Sequence, residues 1–197
     1  DKQYKQWKYL RVASTVLHFC ICFRVFQNAS FSSVQEKHTL VMPSALLLTC
    51  EPIPLVRIAL IGLGDRGMKT LRRYAFISHA EIRYVVDLDS EKTEAANAAL
   101  TQSGRPAAVA FCGAEAWKTV CEKEDVDLVY VCTEWNSHTP MAVYAMEHGK
   151  HVAVEVPAAT TVEECFRLVR TAEATQRHCF MTENCCYDFF ALQTLEM

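Results

Sequence analysis

Residues 62–67 read "GLGDRG", which places Gly62, Gly64 and Gly67 at G-x-G-x-x-G spacing. The motif follows the apolar run "LVRIALI" and opens "MKTLRRYAFI", whose apolar spacing is helical. In that context each glycine has a separate task. Gly62 permits a tight turn, Gly64 lets backbone approach a pyrophosphate, and Gly67 lets the helix pack closely on the strand. The helix start then presents unpaired N–H groups to an anion. Asp65 and Arg66 complete the loop and count among its candidate cofactor contacts. Arg66 reads equally as a pyrophosphate contact or as a solvated side chain.

Asp87 ends "EIRYVVD", twenty positions beyond Gly67. A carboxylate at the tip of a second strand accepts hydrogen bonds from the ribose hydroxyls and repels a 2′-phosphate. That favours NAD over NADP; a helix-capping aspartate is the competing reading.

Three further stretches could do chemistry. "CTEWNSHTP" follows an apolar strand, so Trp135, Asn136, Ser137 and His138 lie on a strand-to-helix loop. Trp135 could cover a nicotinamide ribose. Asn136 or Ser137 serve as cofactor contacts or as helix caps, and His138 bonds cofactor or sits at a helix start. "VEVPA" puts Glu155 and Val156 at the end of another strand, a charged group beside an inert one. "TENCCYDFF" carries Asn184, whose amide suits a carboxamide or ribose, and Tyr187, which reads as a proton carrier or as a core aromatic.

These residues need a scaffold that delivers them to one rim. From Leu55 onward, short apolar runs alternate with helical patterns. "EIRYVVD", "AAVAF", "VDLVYVCT", "HVAVEV" and "HCFMTEN" read as strands. "SEKTEAANAAL" (capped by Ser90), "AEAWKTVCEKE", "SHTPMAVYAMEHG" and "TVEECFRLVRTAEATQ" read as helices. Continuous apolar strands between helices imply a parallel sheet covered on both faces. The expected fold is α/β, a doubly wound six-stranded Rossmann sheet of order 3-2-1-4-5-6, over residues 52–197.

Residues 1–51 follow another pattern. Val12–Phe26 is apolar but interrupted by His18 and Arg24, too short and broken for a membrane span. An N-terminal extension with little regular structure is expected there. A net charge of −3 and the lack of a basic stripe argue against a nucleic-acid partner. Ten cysteines include no C-x-x-C and no zinc-like Cys/His spacing, so no metal is expected. Reduced, buried thiols fit better than a disulfide framework, which favours a cytoplasmic setting.

The glycine loop, Asp87, "TEWNSHTPMAVYAMEHGKHVAVEVPAA" and "MTENCCYDFF" together resemble the Gfo/Idh/MocA oxidoreductase family. Within it they look most like the NAD-dependent α-N-acetylgalactosaminidase branch, glycosyl hydrolase family 109. The resemblance implies NAD as cofactor and a sugar glycoside as substrate. It also implies a second α/β domain that supplies much of the sugar site and through which family members commonly pair. The chain stops in the first helix after the sixth strand, so that second domain is expected to be absent. Phe189, Phe190, Leu192 and Leu195 would then be left exposed.

Sugar dehydrogenases of the family carry Glu-Lys-Pro where this chain has Glu155-Val156-Pro157. Their lysine helps move the hydroxyl proton, and valine cannot. The glycosidase-like branch is similar to this sequence in carrying Glu-Val-Pro. Its implied mechanism oxidises the sugar C3 hydroxyl, eliminates the glycoside, hydrates the product and reduces C3 again. On that resemblance Tyr187 takes a proton-transfer role and Glu155 lies beside the nicotinamide. The branch's usual loop reads closer to "TPWEWH", so Asn136 and Ser137 depart from it while Trp135 and His138 stay in register. Two alternatives remain: a non-catalytic nucleotide-binding fragment, and an ordinary NAD-dependent sugar dehydrogenase.

Overall fold

The computed structural model describes residues 52–183 and Gln193. Six strands and five helices alternate through it. They are β1 (Val56–Ile61), α1 (Asp65–Tyr74), β2 (Ala80–Asp87), α2 (Ser90–Gln102), β3 (Val109–Cys112), α3 (Ala116–Cys121), β4 (Leu128–Val131), α4 (Trp135–Glu147), β5 (His151–Val154), α5 (Val162–Thr175) and β6 (Cys179–Met181). All pairings are parallel and the order is β3-β2-β1-β4-β5-β6, the doubly wound arrangement expected from the sequence.

Both faces of the sheet are buried, which explains the unbroken apolar strands. Side-chain alternation divides β1 between two cores. Ala59 and Ile61 join Val129, Val131, Val152 and Val154 beneath Val120, Met146 and Leu168 of α3, α4 and α5. Ile58 and Leu60 face the other way, with Tyr130 and Ala153, against Leu71 of α1 and Leu100 of α2. Leu71 and Leu168 are 0% and 1% exposed, so truncating either to alanine would cost roughly 2–5 kcal/mol.

Register brings the strand ends level. Ile61 pairs with Val86 and Val131, Val131 with Val154, Val154 with Met181, and Asp87 with Cys112. Loops leaving these carboxyl ends therefore emerge along one rim. The order turns from descending to ascending between β1 and β4, which makes the crevice there the expected ligand position.

Two helix starts differ from expectation. The cap of α2 is Asp89, whose side chain accepts from Glu91 N, and Ser90 is the first helical residue. Helix α4 begins at Trp135 rather than Ser137, so Pro140 falls inside it. Helix α5 has a full capping box: Thr161 Oγ1 accepts from Glu164 N, and Glu164 Oε2 accepts from Thr161 N.

Cys112, Cys121, Cys132, Cys165 and Cys179 are free thiols. Burial pushes Cys121, Cys132 and Cys179 up to about 12, which keeps them protonated and unreactive. Among the described residues, no helix is long and apolar enough to cross a membrane. Nor is any group of three or more His, Cys, Asp or Glu side chains placed to hold a metal ion.

Candidate functional site

The glycine loop joins β1 to α1, and its three glycines are required for different reasons. Gly62 has φ +88°, and a Cβ there would lie 2.6 Å from the Cys132 carbonyl oxygen at the end of β4. At Gly67 a Cβ would lie 1.9 Å from the Gly62 carbonyl oxygen, so the helix start packs directly on the turn. Gly64 is the opposite case. It has φ −66°, and a Cβ there meets nothing within 4 Å. Its freedom from a side chain leaves open space over the first turn of α1, where the unpaired N–H groups point. Asp65 is exposed and pairs with Lys69 Nζ at 2.7 Å, four residues along the helix.

Asp87 reaches back to this loop. Its Oδ2 accepts from Leu63 N at 2.7 Å, and its Oδ1 accepts from Asp89 N at 3.1 Å and pairs with Lys92 Nζ at 3.5 Å. The Asp87 side chain is 9% exposed. A carboxylate offers about four lone-pair positions. Three are therefore occupied by the protein, and the long, solvent-side contact to Lys92 is the easiest to exchange.

Past β4 the predicted residues divide. Trp135 is 63% exposed and Asn136 is exposed beside it. Ser137 Oγ donates to Glu134 O at 2.9 Å and receives the Thr133 hydroxyl at 2.6 Å, so its polar capacity is spent within the turn. His138 is 1% exposed. Its Nδ1 lies 2.7 Å from Pro157 O and its Nε2 3.0 Å from Thr133 O, which ties the ends of β4 and β5 together.

Glu155 follows β5, and its backbone N–H donates to Val131 O at 3.0 Å. The residue is 5% exposed. Its Oε1 accepts from Tyr130 Oη at 3.0 Å and lies 2.8 Å from Arg66 Nε. The Arg66 N–H is not aimed along that line, but the 2.8 Å separation keeps the two groups ion-paired. Glu155 raises the Arg66 guanidinium above its ordinary value. Burial pushes the Tyr130 phenol upward, so it acts as a neutral donor. Val156 is half-buried next to Glu155, and the Val156–Pro157 peptide is cis.

Asn184, Tyr187 and the apolar residues of the last segment lie outside the described residues. Sequence reading missed Tyr130, the Leu63 N–H and Lys92. Tyr130 did leave a trace, being a phenol within the otherwise aliphatic strand "LVYV". The Leu63 contact exists only once β2 lies beside β1, whereas Lys92 reaches Asp87 from five positions further along the chain.

An open approach over Gly64, a helix start facing it and a carboxylate at the neighbouring strand tip fit the two ends of a dinucleotide. Comparison with known proteins agrees. The chain is 55% identical over 146 residues to an alpha-N-acetylgalactosaminidase of Bacteroides fragilis, covering 74% of this chain and 34% of that protein. It is 50% identical over 155 residues to glycosyl hydrolase family 109 protein 2 of Phocaeicola vulgatus, covering 79% and 38%. The chain thus spans little more than a third of the length of these relatives. The crystal structure of an NAD-binding protein from Listeria innocua superposes with TM-score 0.59 at 27% identity, covering 72% of this chain and 39% of that one. Residues 56–183 match the Gfo/Idh/MocA family, described as an oxidoreductase family with an NAD-binding Rossmann fold. The chain thus belongs to the Gfo/Idh/MocA family and carries its NAD-binding Rossmann domain.

Proposed function

We propose that this domain is the NAD-holding part of a glycosidase that acts by transient oxidation of its sugar. The observation that carries this reading is Val156, a hydrocarbon next to Glu155 at the rim of β5. It stands where the family's sugar dehydrogenases use a lysine to move the hydroxyl proton. The relatedness to an alpha-N-acetylgalactosaminidase supports the same reading and suggests an N-acetylated galactosaminide as substrate.

In this scheme NAD supplies a hydride acceptor that is restored within each turnover. The chain's own residues bind and orient. Gly64 leaves room for the pyrophosphate, and the first turn of α1 supplies N–H donors to it. Asp87 holds the loop through Leu63 and offers its remaining acceptor capacity to the adenosine ribose. Exposed Trp135 and Asn136 cover the nicotinamide half, while buried His138 fixes the loop that presents them. Val156 keeps water from the reacting face. Asn184 holds the carboxamide or ribose, and Tyr187 moves the proton. On the substrate, C3 is oxidised to a ketone, which acidifies the C2 proton. The aglycone leaves by elimination, water adds back, and C3 is reduced.

Two measurements test the reading. NAD should bind the chain with a dissociation constant in the micromolar range by calorimetry. A protein joining this chain to the remaining length found in its relatives should hydrolyse an α-N-acetylgalactosaminide in D2O. The expected product carries deuterium at C2, with no accumulation of NADH. Net NADH from a free sugar would instead establish an ordinary dehydrogenase. The chain by itself should bind NAD without turnover, and hydrolysis by it would overturn the dependence on further sequence.

A further inference from the structure

We infer that Glu155 is a positioning residue that acts through Arg66, fixing the guanidinium as a ligand for the cofactor's pyrophosphate. This rests on the NAD-binding reading and gives the glutamate of "VEVP" a role distinct from contact with the nicotinamide. Three observations carry it. The Glu155 side chain is 7% exposed and its Oε1 is shared by Tyr130 Oη and Arg66 Nε, so that oxygen is turned into the protein. The Arg66 side chain is 38% exposed although its Nε is buried and ion-paired with Glu155. Its exposure therefore falls on the remaining atoms of a held side chain, the terminal nitrogens beyond Nε among them. Arg66 also belongs to the first turn of α1, beside the Gly64 opening where an anion meets the helix start.

The physical logic is reciprocal. A buried carboxylate without a cation is strongly unfavourable, so Glu155 needs Arg66. A long arginine side chain on a helix surface is otherwise free among rotamers, and binding an anion would cost it that freedom. Pinning Nε from below removes most of that cost before the cofactor arrives. A planar guanidinium held at one edge still presents N–H groups suited to phosphate oxygens. Tyr130 completes the tie: its phenol on β4 donates to Glu155 after β5, and its ring packs edge-on against Tyr74 of α1.

The experiment titrates the full chain and its variants with NAD, ADP-ribose and adenosine. ADP-ribose keeps the pyrophosphate and lacks nicotinamide; adenosine lacks both. Arg66→Met and Glu155→Gln should each weaken NAD and ADP-ribose about tenfold while adenosine changes less than about twofold. The double variant should be no weaker than Arg66→Met by more than about twofold, because both remove one interaction. Should Glu155→Gln fail to fold, Arg66→Lys carries the test, with ADP-ribose expected about fivefold weaker and adenosine unchanged. Unchanged ADP-ribose affinity, equal weakening of all three ligands, or multiplying effects in the double variant would each overturn the inference. If the unaltered chain bound NAD normally, only this inference would fall; if it bound none, the cofactor reading would fall with it.

Discussion

The Asp87 carboxylate accepts a 2.7 Å hydrogen bond from the backbone N–H of Leu63, linking the tip of β2 to the turn after β1. The residue that reads as a ribose ligand is therefore also a brace for the glycine loop. Replacing it removes a charged hydrogen bond within the protein and an acceptor for the cofactor. Asp87→Ala should weaken NAD by about 1–3 kcal/mol and lower the melting temperature without NAD. Calorimetry and a thermal melt of the same preparation check both halves. A melt unchanged by the substitution would show that the Leu63 contact contributes nothing to the loop.

Gly64 and Gly67 separate ligand space from packing. Gly67→Ala would drive a Cβ into the Gly62 carbonyl and should destabilise the domain by more than about 3 kcal/mol. Gly64→Ala meets no protein atom within 4 Å and needs no unusual φ, so stability should stay within about 0.5 kcal/mol. NAD affinity should nevertheless fall about tenfold or more, because the methyl group occupies the approach to the helix start. Chemical denaturation and NAD titration of the two variants give the contrast directly.

Trp135 and His138 are three positions apart on the same turn and should behave oppositely. Trp135 is 63% exposed, so Trp135→Ala should leave apo stability within about 0.5 kcal/mol and act only on cofactor binding. His138→Ala empties a buried site and strands the carbonyl that its ring N–H holds, at a cost of about 3 kcal/mol. Urea unfolding without NAD distinguishes them.

Far from the rim, His151 and His178 set an acid sensitivity. Burial first, then His178 and Arg177, lowers His151 to about 4, and burial lowers His178. His151 Nδ1 accepts from His178 N at 3.0 Å, which needs that nitrogen unprotonated. An unfolded histidine titrates near 6.5, so between about 6.5 and 4 the unfolded chain binds more protons. Stability should be constant with respect to His151 above about pH 6.5 and decline as pH falls toward 4, by at most about 3 kcal/mol. His151→Asn should flatten this part of the profile. Equal pH dependence in the variant, measured by denaturant midpoints from pH 7 to 4.5, would refute the assignment.

Much of this was legible from local patterns. Unbroken apolar runs such as "LVYV" and "HVAV" required a sheet buried on both faces, and their alternation with helices fixed parallel pairing and strand order. The glycine spacing after β1 identified a tight turn packed closely on a helix start, because both are backbone demands expressed within a few residues. Asp87 was legible as the end of the second strand. Local patterns did less well where side chains compete. Asp89 rather than Ser90 caps α2, since both residue types suit a cap and only the chain's exit from β2 selects between them.

The sequence by itself determined the fold class, the glycine turn and the rim on which the candidate residues would lie, all of which follow from period and spacing along the chain. Tertiary structure alone decided what those residues touch. Glu155, read as a polar group facing the nicotinamide, has one oxygen held by Tyr130 and Arg66. His138 sets its two ring nitrogens 2.7 and 3.0 Å from backbone carbonyls, and Asp87 spends one oxygen on Leu63. Apart from Thr133, five residues before His138, each partner is brought in from another strand, helix or loop. The direction of a buried polar side chain is set by which donor the packed neighbours leave within 3 Å, and no local pattern encodes that.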